Sequence, residues 1–177
     1  MKAVVAAALL SFALVGLDHV ALADKTMAAP ITDSHFRFKI PTGWKDKSPG
    51  DPNVYTVAVD EPNNLVYQAK VQLGSAPANE EMLDRYANEA RKSVTARLPD
   101  SKFKALERGI VRIDDVQAAR FVFEMIPPGG GGPIRQLQFY VASGQEHAVM
   151  TFTAPAEHFA EYVKLFEATA QATTIKK

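Results

Sequence analysis

Three histidines beyond the N-terminal leader, His35, His147 and His158, are the side chains here best suited to chemistry, and two of them stand next to an acid in Glu146-His147 and Glu157-His158. Imidazole nitrogen and carboxylate oxygen together ligate zinc or manganese. Neighbouring residues, however, point to opposite faces of a strand or about 100° apart around a helix, so neither pair chelates an ion alone. A metal site needs His35, His147 and His158 gathered from separate elements. Without that they are surface histidines, and no cofactor is expected.

Other reactive constellations are thinner. The chain has no cysteine, which removes disulfides, thiolate zinc sites, iron–sulfur clusters and a Cys nucleophile. Ser143-Gly144 lacks a G-x-S-x-G frame and falls in a hairpin loop. Asp60-Glu61 and Asp114-Asp115 could act as paired carboxylates, yet both sit at turns, where acids are common. The run Gly129 to Gly132 leads through Pro133-Ile134-Arg135 into a strand, with no Lys and no Ser or Thr opening a helix, so it is not a phosphate loop. It reads as a flexible hairpin linker, with Gly130 and Gly131 as the sharper option of a contact loop. Trp44, Tyr55, Tyr67 and Tyr140 could line a ligand groove, although core packing explains aromatics more simply. Arg37, Lys39, Arg120 and Arg135 lie on the polar sides of strands, solvated or ion-paired by default, with docking to an acidic partner as the alternative. The candidate contact set is therefore Arg120, Arg135, Tyr140, Gly130 and Gly131, and no catalytic residue is identified.

The elements that must position these groups begin with a leader. Met1-Lys2 is followed by an apolar run from Ala3 to Leu17, broken only by Ser11 and Gly16, and then by Ala21-Leu22-Ala23, a small-x-small cleavage pattern. Asp18 and His19 stop the run short of the roughly 20 apolar residues that cross a bilayer. Residues 1–23 are expected to be a signal peptide, 24–34 a flexible lead-in and 35–177 a single domain. With no cysteine to carry lipid, no membrane anchor survives cleavage, and the product is expected in the periplasm or secreted. The full chain's 20 Lys+Arg balance 20 Asp+Glu, leaving no field for gripping nucleic acid, and 47% apolar content is too high for a disordered chain.

Strand alternation is predicted over 36–40, 54–59, 65–73, 103–113, 117–126, 134–142 and 147–153. Helical spacing is predicted over 79–97, capped by Asn79 and stopped by Pro99, and again from Pro155 onward. With Ser143 to Glu146 as a loop, Val141 faces Ala148, Phe139 faces Met150 and Leu137 faces Phe152. A matching register across the 127–133 loop puts Phe123, Phe121 and Ala119 beside Leu137, Phe139 and Val141, giving one apolar face across three strands. At Asp114-Asp115 neither a two- nor a three-residue turn gives clean pairing. The order βββαββββα with short connections predicts an α+β domain on an antiparallel sheet.

The opening Phe36-Arg37-Phe38-Lys39-Ile40-Pro41-Thr42-Gly43-Trp44 and the strand Arg135-Gln136-Leu137-Gln138-Phe139-Tyr140-Val141 before the last hairpin and helix resemble the PsbP-like group, which includes DcrB-type exported proteins. The likeness covers nearly all of the chain after the leader. It implies an α-β-α sandwich and an accessory, binding or assembly role without enzymatic activity, and it raises the interest of a metal site. Unlike the lipoprotein members, this chain has no lipid-bearing cysteine. The function expected is that of an exported accessory protein docking to an envelope or partner protein; the alternative is a periplasmic protein that binds a small ligand or a divalent metal.

Overall fold

The computed structural model describes residues 22–28, 35–47, 56–74, 78–128 and 132–176. In chain order the elements are β1 (Leu22–Ala28), β2 (Phe36–Pro41), β3 (Lys45–Asp46), β4 (Thr56–Asp60), a 3-10 turn (Glu61–Asn63), β5 (Leu65–Leu73), α1 (Glu80–Arg97), β6 (Lys102–Ile113), β7 (Val116–Ile126), β8 (Ile134–Ser143), β9 (Glu146–Pro155), α2 (Phe159–Gln171) and β10 (Thr174–Ile175). The main sheet runs β3-β4-β5-β9-β8-β7-β6 and is antiparallel throughout. After β5 the chain crosses by way of α1 to the far edge, then meanders back until β9 closes against β5. A smaller sheet, β1-β2-β10, lies apart from it. The expected α+β class therefore holds, but β2 forms its own small layer and does not open the main sheet.

Alternation builds two cores on opposite sides of the main sheet. On one side Leu65, Tyr67, Ala69 and Val71 of β5, Ala148, Met150 and Phe152 of β9, and Leu137, Phe139 and Val141 of β8 meet Phe36, Phe38 and Ile40 of β2 and Phe159, Phe166 and Ala170 of α2. Fully burying each such large side chain contributes roughly 1.5–3 kcal/mol relative to exposure. On the other side Ala119, Phe121 and Phe123 of β7 meet Leu83, Tyr86 and Ala90 of α1. Helix α1 begins as its sequence predicts: the Asn79 side chain accepts from the Met82 backbone N–H at 3.0 Å.

The β8–β9 register is the predicted one, with Leu137, Phe139 and Val141 opposite Phe152, Met150 and Ala148. The β7–β8 register differs by one residue. Ala119, Phe121 and Phe123 stand opposite Tyr140, Gln138 and Gln136, so they face α1 and not α2. β7 is apolar on both sides because a helix covers each of them, and period-2 alternation then carries no information about which side is which. Asp114 and Asp115 form a two-residue hairpin turn between Ile113 and Val116, both at positive φ (46° and 64°), the left-handed pair that a type I′ turn requires. A bulge between Ala105 and Glu107 absorbs the pairing mismatch that the sequence shows there.

Two boundaries also move. Pro155 ends β9 opposite Ile134, and α2 starts only at Phe159, after a turn. Leu22–Ala28 pairs antiparallel with β2, so part of the stretch read as a flexible lead-in is a strand.

Candidate functional site

The α1 side of the main sheet is only half covered. The helix lies over β6, β7 and part of β8, where the sheet is apolar; beyond it the same face of β8, β9 and β5 is bare and polar. The flank of α1 and this bare floor enclose a groove of about 510 Å³, within the range of roughly 300–1,000 Å³ usual for small-molecule sites. Strand pairing sets the floor as a grid. Thr151 stands between Gln68 and Gln138, Val149 between Lys70 and Tyr140, and His147 between Gln72 and Ala142, with Gln136 beside Thr153 at one end. Met82, Arg85, Tyr86, Glu89 and Ser93 form the α1 wall.

The floor is internally tied. Tyr140 donates its hydroxyl to Gln138 Oε1 at 3.3 Å, Gln138 donates to Gln136 Oε1 at 3.3 Å, and Gln136 donates to Thr153 Oγ1 at 3.3 Å. Tyr140 also stacks on Tyr86 with ring centroids 5.2 Å apart and planes 6° from parallel. Burial, with smaller contributions from Glu89 and Tyr86, pushes the Tyr140 phenol up to about 12, and burial likewise raises Tyr86. Both phenols are thus held as protonated donors at neutral pH. Arg85 bonds Glu89 at 2.9 Å, which raises its already high pKa, so that pair is internally neutral. Lys70 has no acidic partner among the described residues.

The three histidines do not come together. His147 sits at the groove rim, its Nδ1 2.8 Å from the Gly74 carbonyl and its Nε2 3.1 Å from the Gln72 side chain. His35 lies on the opposite face of the β8–β9 hairpin, Nδ1 3.1 Å from Ser143 Oγ. His158 lies past the far end of ten-residue β9, a separation of about 30 Å at strand rise; there a hydrogen bond to Glu161 raises its pKa. Among the described residues no group of three or more His, Cys, Asp and Glu is placed to hold a metal ion.

The His35–Ser143 contact has the look of a hydrolase pair but not its wiring. The Ser143 hydroxyl donates to the Lys176 carbonyl at 3.1 Å, and the Glu146 carboxylate accepts from the His35 backbone N–H at 3.1 Å and not from its ring. The Ser143 proton therefore points away from imidazole, and the cluster ties the C-terminal strand to the hairpin. Gly144, at φ 59°, is favoured on two counts: the left-handed backbone, and a Cβ there that would lie 3.1 Å from His35 Cε1, so that the ring would have to shift.

Of the predicted contact residues, Arg120 is engaged internally, 18% exposed and bonded to Glu167 of α2 at 3.0 Å and Glu107 of β6 at 2.9 Å. Arg135 pairs with Glu124 directly across the ladder at 3.0 Å. Tyr140 does line the groove. Gly130, Gly131 and Tyr55 lie outside the described residues. Trp44 and Tyr67 are core residues of the α2 side. Sequence reasoning missed Gln68, Lys70, Gln72, Gln136, Gln138 and Thr151 as a site; their signal was the polar half of the β5, β8 and β9 alternation.

Comparison with solved structures places this arrangement. Cyanobacterial PsbP (CyanoP) from Synechocystis sp. PCC 6803 superposes with a TM-score of 0.69 at 14% identity, over 94% of this chain and 98% of that one. The chain has the PsbP fold. LpqN of Mycobacterium tuberculosis, described as involved in cell envelope biogenesis, matches with a TM-score of 0.51 at 12% identity over 80% of this chain and 83% of its own. A protein from Bacteroides thetaiotaomicron matches at 0.51 and 14% identity over 81% of this chain and 46% of its own. No family model matches the chain, and no curated protein does. At these identities the likeness to PsbP is one of architecture, which hosts function through local sites. No helix among the described residues is long and apolar enough to cross a membrane.

Proposed function

We propose that this PsbP-fold protein is an exported, non-catalytic accessory protein that binds an envelope component, with the groove between α1 and the bare half of the sheet as its working surface. The observation that carries the reading is the grid of amide, hydroxyl and ammonium groups on β5, β8 and β9, walled by α1 and left uncovered while the rest of that face is packed. A half-exposed polar floor that the fold does not consume in packing is a surface for binding. Among the described residues lining the groove, the Arg85–Glu89 ion pair is closed on itself and the Tyr140 hydroxyl is engaged with Gln138. Export is supported by the leader at 1–23, and LpqN, with the same fold, is described as involved in envelope biogenesis.

Expression of the full chain in a host with a secretory pathway tests both halves. The expected product is extracytoplasmic and begins at Asp24. A photo-crosslinker at Thr151 in the groove is expected to capture an envelope component that one at Lys104, on the exposed face of β6, does not. Equal capture at both positions, or retention of the uncleaved protein in the cytoplasm, would overturn the reading.

A further inference from the structure

The chemistry of the floor specifies the class of ligand. Val149 is an apolar island at its centre, with Lys70 and Tyr140 directly beside it on the neighbouring strands, His147 and Thr151 before and after it on its own, and Gln68, Gln138 and Gln72 at the diagonals. Strand spacing puts this polar perimeter roughly 5–8 Å from Val149. A flat ring with an apolar C–H face and hydroxyls around its edge matches that layout: the ring face rests on Val149, and the hydroxyls, each donor and acceptor, meet amides and hydroxyls that are also both. One cation, Lys70, is left without an acidic partner among the described residues, whereas Arg85 is neutralised by Glu89.

We infer that the groove binds an acidic saccharide, a pyranose ring seated on Val149 with its carboxylate on Lys70. This rests on the groove being the working surface, as proposed above. Other classes fit less well. A phosphate-rich ligand calls for several cations or a cradle of backbone N–H groups, and the lining offers one uncompensated lysine. An extended peptide adding to a sheet needs an open strand edge, but β9 and β8 are each paired on both sides, and β5 is paired with β9 over Val66–Leu73 and with β4 over Leu65–Ala69. A lipid tail needs an apolar floor, and here the apolar groups are separated by polar ones.

The test is a titration of the 15N-labelled chain, followed by amide and glutamine side-chain resonances, with D-glucuronate, D-glucose, a trigalacturonate, inorganic phosphate and a Gly-Ser peptide, each to tens of millimolar. The expected result is that glucuronate and trigalacturonate shift the Gln68, Gln138, Thr151 and His147 signals, with glucose weaker. Lys70→Met should weaken glucuronate about tenfold, the loss of one charge-assisted hydrogen bond, and glucose by clearly less. Val149→Asp should abolish both. Trigalacturonate binding much tighter than glucuronate identifies a polymer as the source; equal binding identifies a free sugar acid. Circular dichroism checks that both variants remain folded. If phosphate or the peptide moves the groove signals and the sugars do not, the saccharide assignment fails and the groove reading stands. If none of the five moves them, both fail.

Discussion

The one-residue difference in the β7–β8 register decides which helix Phe121 supports, and a double-mutant cycle measures it. In the structure Phe121 faces α1, edge-on to Tyr86 with centroids 6.4 Å apart and planes at 89°, while Phe139 lies on the other side of the sheet against Phe152 at 6.2 Å. Phe→Leu and Tyr→Leu are the perturbations of choice. Truncation to alanine would cost roughly 3–5 kcal/mol, a large part of the roughly 5–15 kcal/mol total of a domain. Phe121→Leu and Tyr86→Leu should each cost about 1–2 kcal/mol. Together they should cost less than their sum by about 0.5–1.5 kcal/mol, the usual worth of an aromatic pair beyond its area. Phe121→Leu with Phe139→Leu should add within about 0.5 kcal/mol, since the two rings share no partner. The assay is urea unfolding followed by far-UV circular dichroism and by the fluorescence of Trp44, the chain's single tryptophan, which packs edge-on to Phe166 on the α2 side. Coincident transitions establish that both cores unfold together. Coupling in the Phe121–Phe139 cycle with none in Phe121–Tyr86 would restore the register expected from alternation and remove α1 from its place over β7.

Three further outcomes follow from local geometry. The Tyr67 hydroxyl is fully buried and without a hydrogen-bond partner among the described residues, so Tyr67→Phe should raise stability by about 1 kcal/mol in urea unfolding; a loss would mean the hydroxyl is satisfied. Asp115→Gly, at φ 64°, should relieve about 1 kcal/mol of left-handed strain, whereas Asp114→Gly should gain nothing net, because Asp114 Oδ2 accepts the Ile175 backbone N–H at 2.6 Å. Equal gains would show that β10 does not depend on that bond. Hydrogen bonds from Lys45 and Lys47 lower Glu61 from about 4.5 to about 2. A depressed carboxylate favours the folded state above its unfolded pKa, and that contribution fades as pH falls from about 4.5 toward 2. A carboxyl NMR titration should give that low midpoint, and Lys45→Met with Lys47→Met should return it toward 4.5; an unchanged midpoint would disprove the pairing.

Legibility of the fold tracked how one-sided each strand is. β8 and β9 bury one face only, so their register, hairpin loop and partners were readable residue by residue, and Asn79 and Pro99 bracketed α1 by capping chemistry. β7 buries both faces, and the sequence pattern there fits two registers equally. The Asp114-Asp115 turn was illegible for a different reason: a bulge seven residues or more upstream, between Ala105 and Glu107, corrects the pairing, and nothing in the local composition announces it. The start of α2 was misplaced because Pro155 suits the first turn of a helix and the end of a strand alike, and cross-strand pairing with Ile134 decided between them.

The groove was half written in the same patterns. Gln68, Lys70 and Gln72 mark a face of β5 that no core covers, and Thr151 and Thr153 do so for β9, but alternation alone does not separate a face that looks into bulk water from one that lies beneath a helix flank. The position of α1 makes that difference, and it is a long-range property: the crossover from β5 must land on the far edge, β6, before the chain returns. The two observations combine, however. A strand apolar on both sides needs a layer over each, so some element must roof β7; strands polar on one side must be left bare, so the same element cannot extend over β5 and β9. The roof must therefore end near β8, and the residue at that step is Tyr140, apolar enough to stack under Tyr86 and polar enough to donate toward Gln138. A two-sided strand next to one-sided strands thus implies a ledge in the fold, and the amphipathic residue at the boundary marks its edge.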